Sequence, residues 1–156
     1  MLLASREREA AVTVKCFKNF PDAKLDEHWA EKLRTARELR AAVASEEDAS
    51  AQIAGGAIDW TKLPKVSFTT VAEGVATLEA EFKKSQAAIA AVPEAELNQT
   101  GTFFGPDMPL RRLDALWAML MDQIHHRGQF SGMLRLAGAK VPSISGPSAD
   151  EPMTKA

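Results

Sequence analysis

The segment LRRLDALWAMLMDQIHHRGQFSGMLRLA, residues 110–137, decides the fold of this chain. Apolar side chains recur along it every three or four positions, which is the spacing of one face of an α-helix. The inward-facing residues of this stripe are Leu113, Leu116, Trp117, Leu120 and Ile124. Gly138 follows directly and is typical of a helix C-terminus. The segment therefore predicts a long amphipathic helix.

Three further helices are predicted upstream, two of them from their capping signals. A Thr or Ser followed three residues later by Glu forms a capping box that begins a helix. The four predicted helices cover residues 2–20, residues 35–55 (box Thr35–Glu38), residues 70–93 (box Thr70–Glu73) and residues 110–137. Residues 97–109 are predicted to be an ordered crossover. We therefore expect an all-α fold, a four-helix bundle with one long crossover connection. One domain is expected over residues 1–152, with a frayed tail at 153–156.

The composition limits the classes of binding partner and the cellular compartment that are expected. The 156 residues are 46% hydrophobic and 26% charged, as in ordinary globular proteins. The formal net charge of -2 gives no field that would attract nucleic acid or an anionic membrane, so neither partner is expected. Cys16 is the one cysteine and cannot form an internal disulfide. No apolar run approaches the ~20 residues that span a bilayer. A cytoplasmic protein is expected.

One face of the last helix carries the residues that could do chemistry. Positions 115, 119, 122, 126, 129 and 133 are spaced by three and four and share this face. It places Asp122, His126 and Gln129 among apolar neighbours. A carboxylate and an imidazole one turn apart can bind one metal ion, or can pair with each other and hold the helix in place. The spacing alone leaves both interpretations open.

The run DQIHHRGQ, residues 122–129, resembles the last bundle helix of the DinB family. Weaker resemblances follow the family order along nearly the whole chain, at residues 8–11, 34–39, 58–60, 103–105 and 108–109. The resemblance implies a four-helix bundle that holds zinc or nickel through three histidines, one from the second helix and two from the fourth. It also implies thiol-dependent transferase or hydrolase chemistry, and dimeric packing, so a homodimer is one possible assembly.

The chain departs from that ligand set at two of its three positions. Ala42 stands at the position of the second-helix histidine, and Asp122 at that of the first fourth-helix histidine. His126 alone matches. An alanine side chain cannot coordinate, and one imidazole with one carboxylate is too few for a three-ligand zinc site. The expectation is that the protein binds no metal and no other cofactor.

Further departures gather around the same predicted pocket and indicate a cavity that has been emptied and reshaped. We expect a small, aromatic ligand there, with Asp122 and His126 as the catalytic residues. The predicted ligand-binding residues are Trp29, Ala41, Ala42, Met119, Gln129, Gly132, Met133 and Ser145. Asp122 on an inner face would act as a general base that abstracts a proton from carbon, as in an eliminase-type lyase.

Three functional classes remain open at this level. The first is the metal-free base catalyst or ligand binder, in a scaffold remodelled by engineering. The second is a natural DinB-family hydrolase or thiol transferase that uses metal with a degenerate site. The third is an inert bundle.

Overall fold

Four long helices make up the bundle in the computed structural model, which describes residues 1–153. They are α1 (Leu2–Lys18), α2 (Ala36–Ala54), α3 (Val71–Ala90) and α5 (Arg112–Leu136). The crossover between α3 and α5 contains a short helix, α4 (Glu94–Leu97), and a two-stranded antiparallel ladder of β1 (Thr100–Gly101) and β2 (Leu110–Arg111). Single 3₁₀ turns occur at Asp22–Lys24 and Trp60–Lys62. The predicted all-α four-helix bundle is confirmed.

Local signals in the sequence set the ends of the helices. Both predicted capping boxes form, so that Thr35 begins α2 and Thr70 begins α3. At the other end of α5, Gly138 has a φ of 73°, a left-handed conformation that glycine adopts without strain. It lets the Ala139 amide donate to the Leu134 carbonyl at 2.9 Å. The first helix ends at Lys18, two residues earlier than predicted.

The C-terminal segment folds back on the bundle as far as the structure describes it. The Val141 amide donates to the Asp150 carboxylate at 2.8 Å, and Arg135 pairs with the same carboxylate at 2.5 Å. Of the predicted frayed tail, only the exposed Met153 lies within the described residues. Among residues 1–153, no helix combines the length and the apolar character needed to cross a bilayer.

The hydrophobic core is divided into two clusters along the bundle axis. One is centred on Phe17, Leu39 and Phe130, and the other on Ile53 and Leu116. Cys16 belongs to the first cluster, where it is fully buried, and burial raises the pKa of its thiol to about 11. The thiol is therefore held in its neutral, unreactive form.

A buried polar hub separates the two clusters and draws one side chain from each long helix. We define it as Arg6 of α1, Glu47 of α2, Ser85 of α3 and Gln123 of α5, none more than 2% exposed. Arg6 donates to Glu47 Oε2 at 2.5 Å and to Ser85 Oγ at 3.1 Å. Ser85 donates to the same Glu47 oxygen, and Gln123 donates to Glu47 Oε1. Glu47 thus links all four helices.

Glu47→Gln should destabilise the bundle strongly, because it removes the charge that compensates the buried Arg6. Breaking a buried ion pair from one side costs about 3–5 kcal/mol. Glu79→Gln is the matched control, since Glu79 pairs with Lys18 on the surface at 3.1 Å. Such a pair contributes about 0–1 kcal/mol. Urea unfolding of both variants measures the difference, and equal losses would show that the hub does not hold the helices together.

Candidate functional site

Three potential ligand side chains meet where α2 packs against α5. Glu46 comes from α2, and Asp122 and His126 come from successive turns of α5. One ligand atom of each lies within 4.8 Å of the others. The adjacent residues Glu47 and Gln123 belong to the hub, so the contact that joins the two helices also brings these three side chains together.

Glu46 and His126 form the half-buried side of this cluster. Glu46 Oε1 lies 2.8 Å from His126 Nδ1, and each side chain is 13% exposed. The contact has the distance of an ion pair but lacks hydrogen-bond alignment: Nδ1 and Glu46 Oε2 are both buried without a hydrogen-bond partner among the described residues. Close contact with Glu46 raises the pKa of His126, whereas burial lowers it. Burial raises the pKa of Glu46.

Asp122 lies at the solvent side of the cluster. The sequence predicted an inner, buried position, but the structure leaves this residue exposed. At this level of α5 the inner positions belong to Gln123 and Arg127, both 2% exposed. The buried side of α5 is centred on Leu116, Gln123, Arg127 and Leu134. Because successive residues of a helix are rotated by about 100°, Asp122 lies well to one side of that arc and faces solvent.

A groove opens beside the cluster. It has a volume of about 420 Å³ and is lined by Glu46, Trp60, Phe104, Ala118, Met119 and Asp122. The rings of Trp60 and Phe104 lie 5.8 Å apart between centroids and are tilted by 35°. Trp60 Nε1 donates to the Phe103 carbonyl at 2.8 Å, which fixes the indole at the edge of the groove.

The structure brings together only some of the residues predicted from sequence to form the site. Met119 and Asp122 line the groove, and His126 joins the cluster. Ala42 lies on α2, one turn before Glu46.

The other predicted ligand-binding residues lie elsewhere. Trp29, Ala41 and Met133 pack in the first hydrophobic cluster, where the Trp29 ring meets Phe20 edge to face at 6.1 Å. The remaining three, Gln129, Gly132 and Ser145, are exposed. A single cavity walled by Trp29 is therefore not formed. Trp29 lies in the connection between α1 and α2 and packs against the first hydrophobic cluster, not in the groove.

Glu46, Trp60 and Phe104 were not among the residues predicted for the site. Glu46 had a usable signal, because it is a carboxylate on the same stripe of α2 as apolar core residues. It also stands four residues after Ala42, and positions four apart lie on the same helix face. The candidate donor on α2 therefore lies one turn after the position that the family resemblance indicates. Trp60 and Phe104 come from separate connections, and only the fold brings them together.

The three side chains fit a divalent cation. Two carboxylates balance its charge, one imidazole adds a nitrogen donor, and three protein ligands leave a position open for water or substrate. The structural observation in favour is that Glu46 Oε2 is buried with no hydrogen-bond partner among the described residues, and that His126 Nδ1 is buried with only its poorly aligned contact to Glu46 Oε1, whereas buried polar atoms normally form hydrogen bonds.

Comparisons with known proteins agree with the architecture. The sequence model of the DinB family matches residues 1–155. A DinB-like protein from Bacillus cereus has a similar structure, with a TM-score of 0.78 and 22% identity over 92% of this chain and 95% of that one. A DinB-like protein from Bacillus subtilis gives a TM-score of 0.74 and 16% identity over 89% and 92%. These identities show a shared fold alone. No curated protein sequence is significantly similar to the chain.

In metal-free protein, NMR titration should give His126 a pKa above its ordinary value of 6.5, and Glu46→Gln should lower it. The pair therefore adds stability below the unfolded-state pKa of about 6.5 and loses it as the pH rises through the folded-state value. Asp26→Asn, which removes a surface carboxylate paired with Arg37, is the control and should leave His126 unchanged. An unaltered His126 titration in Glu46→Gln would contradict the contact.

Proposed function

This chain belongs to the DinB family, and we propose that it is a metal-dependent enzyme whose divalent ion is held by Glu46, Asp122 and His126. The observation that supports the proposal most directly is the convergence of three ligand atoms within 4.8 Å, drawn from two helices. The expected reaction is the hydrolysis or thiol transfer that the family resemblance implies.

Glu46 adds a third potential ligand, whereas the expectation that no metal binds was based on two. Ala42 has no donor atom and leaves only Asp122 and His126 from the ligand positions that the family resemblance implies. A carboxylate one turn later on the same face of α2 supplies the missing donor, so the chain offers three ligands instead of two. The site is one imidazole and two carboxylates, where the family resemblance implies three imidazoles.

This donor set bears on which metal ion is preferred. Carboxylate oxygens suit harder ions such as Mn²⁺, whereas imidazole nitrogen suits Zn²⁺, Ni²⁺ and Fe²⁺. Replacing two imidazoles by carboxylates should therefore move the preference from nickel toward manganese, with zinc still accepted. Two carboxylates also cancel the charge of the ion, which lowers the cost of holding it in a partly buried place.

The residues of the chain have different roles in the proposed site. A bound divalent ion supplies an activated water or polarises a substrate oxygen. Glu46 holds its ligand position from the half-buried side, and close packing of α2 on α5 limits its movement. Asp122, at the solvent side, leaves the approach from the groove open. Trp60 and Phe104 line the same groove and give it an aromatic wall.

A second candidate function uses the same groove without metal. Asp122 is exposed at the edge of a groove with two aromatic rings, so its carboxylate can reach a small aromatic molecule placed there. It would then act as a general base for proton abstraction from carbon, with His126 as a hydrogen-bond donor. Engineering of the scaffold stays a prediction, and a natural family member accounts for these residues equally well.

After dialysis against Mn²⁺ or Zn²⁺, the protein should retain one ion per chain. Glu46→Gln, Asp122→Asn and His126→Gln should each weaken binding by more than about 100-fold, because loss of even an outer-shell partner costs roughly 10- to 100-fold. His125→Gln is the matched control, since His125 is exposed and contacts Gln129 at 3.0 Å. Elemental analysis and isothermal titration calorimetry measure the affinities. A protein that stays metal-free under these conditions contradicts the proposal.

The second candidate function requires no metal. With EDTA present, the protein should accelerate proton loss from small aromatic substrates with acidic C–H bonds. Asp122→Asn should then reduce the rate by roughly 100- to 10,000-fold, the usual contribution of a placed general base. Equal rates for the two proteins across pH would remove Asp122 from this role.

A further inference from the structure

We propose that the groove beside the cluster selects substrates with a small aromatic ring and an oxygen-bearing group that reaches the metal held by Glu46, Asp122 and His126. Trp60 and Phe104 are the residues that recognise the ring. This inference rests on the proposed metal-dependent function and adds the substrate class.

Trp60 is held in a fixed orientation by its own polar atom. Its one polar atom, Nε1, is used internally by the hydrogen bond to the Phe103 carbonyl, yet 45% of the residue is exposed. The part of the indole that faces water is therefore apolar π surface. Held in one orientation, this surface is available for stacking against another aromatic ring.

The second argument is the shape and composition of the groove. Phe104 is tilted by 35° to the indole at 5.8 Å, so the two rings offer a corner with two π faces. Aromatic rings pair best in offset or edge-to-face arrangements with centroids ~4.5–7 Å apart. Ala118 and Met119 of α5 continue the apolar wall, and the small Ala118 side chain leaves room. A volume of about 420 Å³ is within the range of small-molecule sites.

The third argument is the charge at one end of the groove. Glu46 and Asp122 line it together with the aromatic rings, so apolar and charged surfaces meet within one small volume. Two carboxylates repel an anion unless a divalent ion balances them. An occupant with a ring and a metal-binding oxygen satisfies both surfaces at once. Its binding should therefore require the metal.

The same charge argues against a second protein chain as the occupant. A protein face laid over the groove would bury two carboxylates, and burial of unpaired charge is costly. A small ligand that contacts the metal avoids this cost. Association of two copies of the chain through Trp60 is nevertheless an outcome that the experiment detects.

The test uses two hydroxamates that present the same metal-binding group. Protein loaded with Co²⁺ is titrated with benzohydroxamate and with acetohydroxamate, and both binding heat and the visible absorption of Co²⁺ are recorded. Benzohydroxamate should bind about tenfold more tightly, the size expected for one added ring contact. Neither should bind after Co²⁺ is removed.

Variants assign the preference to the groove. Trp60→Leu and Phe104→Leu should each bring the two hydroxamate affinities close to equal, while Co²⁺ affinity, measured separately, stays within about twofold. Trp29→Leu is the matched control, because Trp29 packs in the first hydrophobic cluster and not in the groove. It should keep the tenfold preference. Two independent groove variants guard against a folding defect in one of them.

The outcomes separate the two proposals. Failure to bind Co²⁺ overturns the metal-dependent function and this inference with it. Co²⁺ binding with equal affinity for the two hydroxamates overturns the inference alone. The inference also falls if Trp60→Leu keeps the preference, if metal-free protein binds benzylamine more tightly than loaded protein binds benzohydroxamate, or if sedimentation shows that Trp60 holds a dimer.

Discussion

Glu47 is the constraint on which the rest of the structure depends. Its two oxygens accept hydrogen bonds from Arg6, Ser85 and Gln123, so one carboxylate fixes the relative position of four helices. Apolar packing alone tolerates small sliding of one helix along another, whereas a buried ion that must be fully paired does not. Because Glu46 is its neighbour, the register that satisfies Glu47 is also the register that brings Glu46 to Asp122 and His126. Fold and site have a common origin in this part of the molecule.

The parts of the fold that the sequence predicts are those whose signals lie within a few neighbouring residues. The capping boxes at Thr35 and Thr70 and the apolar period of α5 act within a few residues, and the structure confirms the helices that they predict. The site depends on which turns of two helices meet, and no short stretch of sequence contains that information. Asp122 and Met119 line the groove, although Asp122 is exposed where a buried position was predicted, and Trp29 belongs to a different cluster. The family resemblance points to position 42 on α2, whereas the carboxylate of Glu46 stands one turn later on the same face, and side chains from two successive turns can reach the same neighbouring helix.

The Glu46, Asp122 and His126 cluster also illustrates how a bundle can change its chemistry at low cost to its fold. Asp122 is exposed, the Glu46 and His126 side chains are partly exposed, and the hub that fixes the helices lies beside them. Carboxylates and imidazoles can therefore be exchanged at these positions without repacking the core. Such an exchange changes the charge of the cluster and, under the proposed function, the metal ions that it would prefer.

Cys16 gives the molecule a built-in reporter of its own opening. It is the chain's one thiol, it is completely covered in the first cluster, and its pKa of about 11 keeps it from ionising at neutral pH. An alkylating reagent can reach it only when α1 separates from its neighbours. The rate at which the folded protein reacts with such a reagent therefore measures how often the bundle opens.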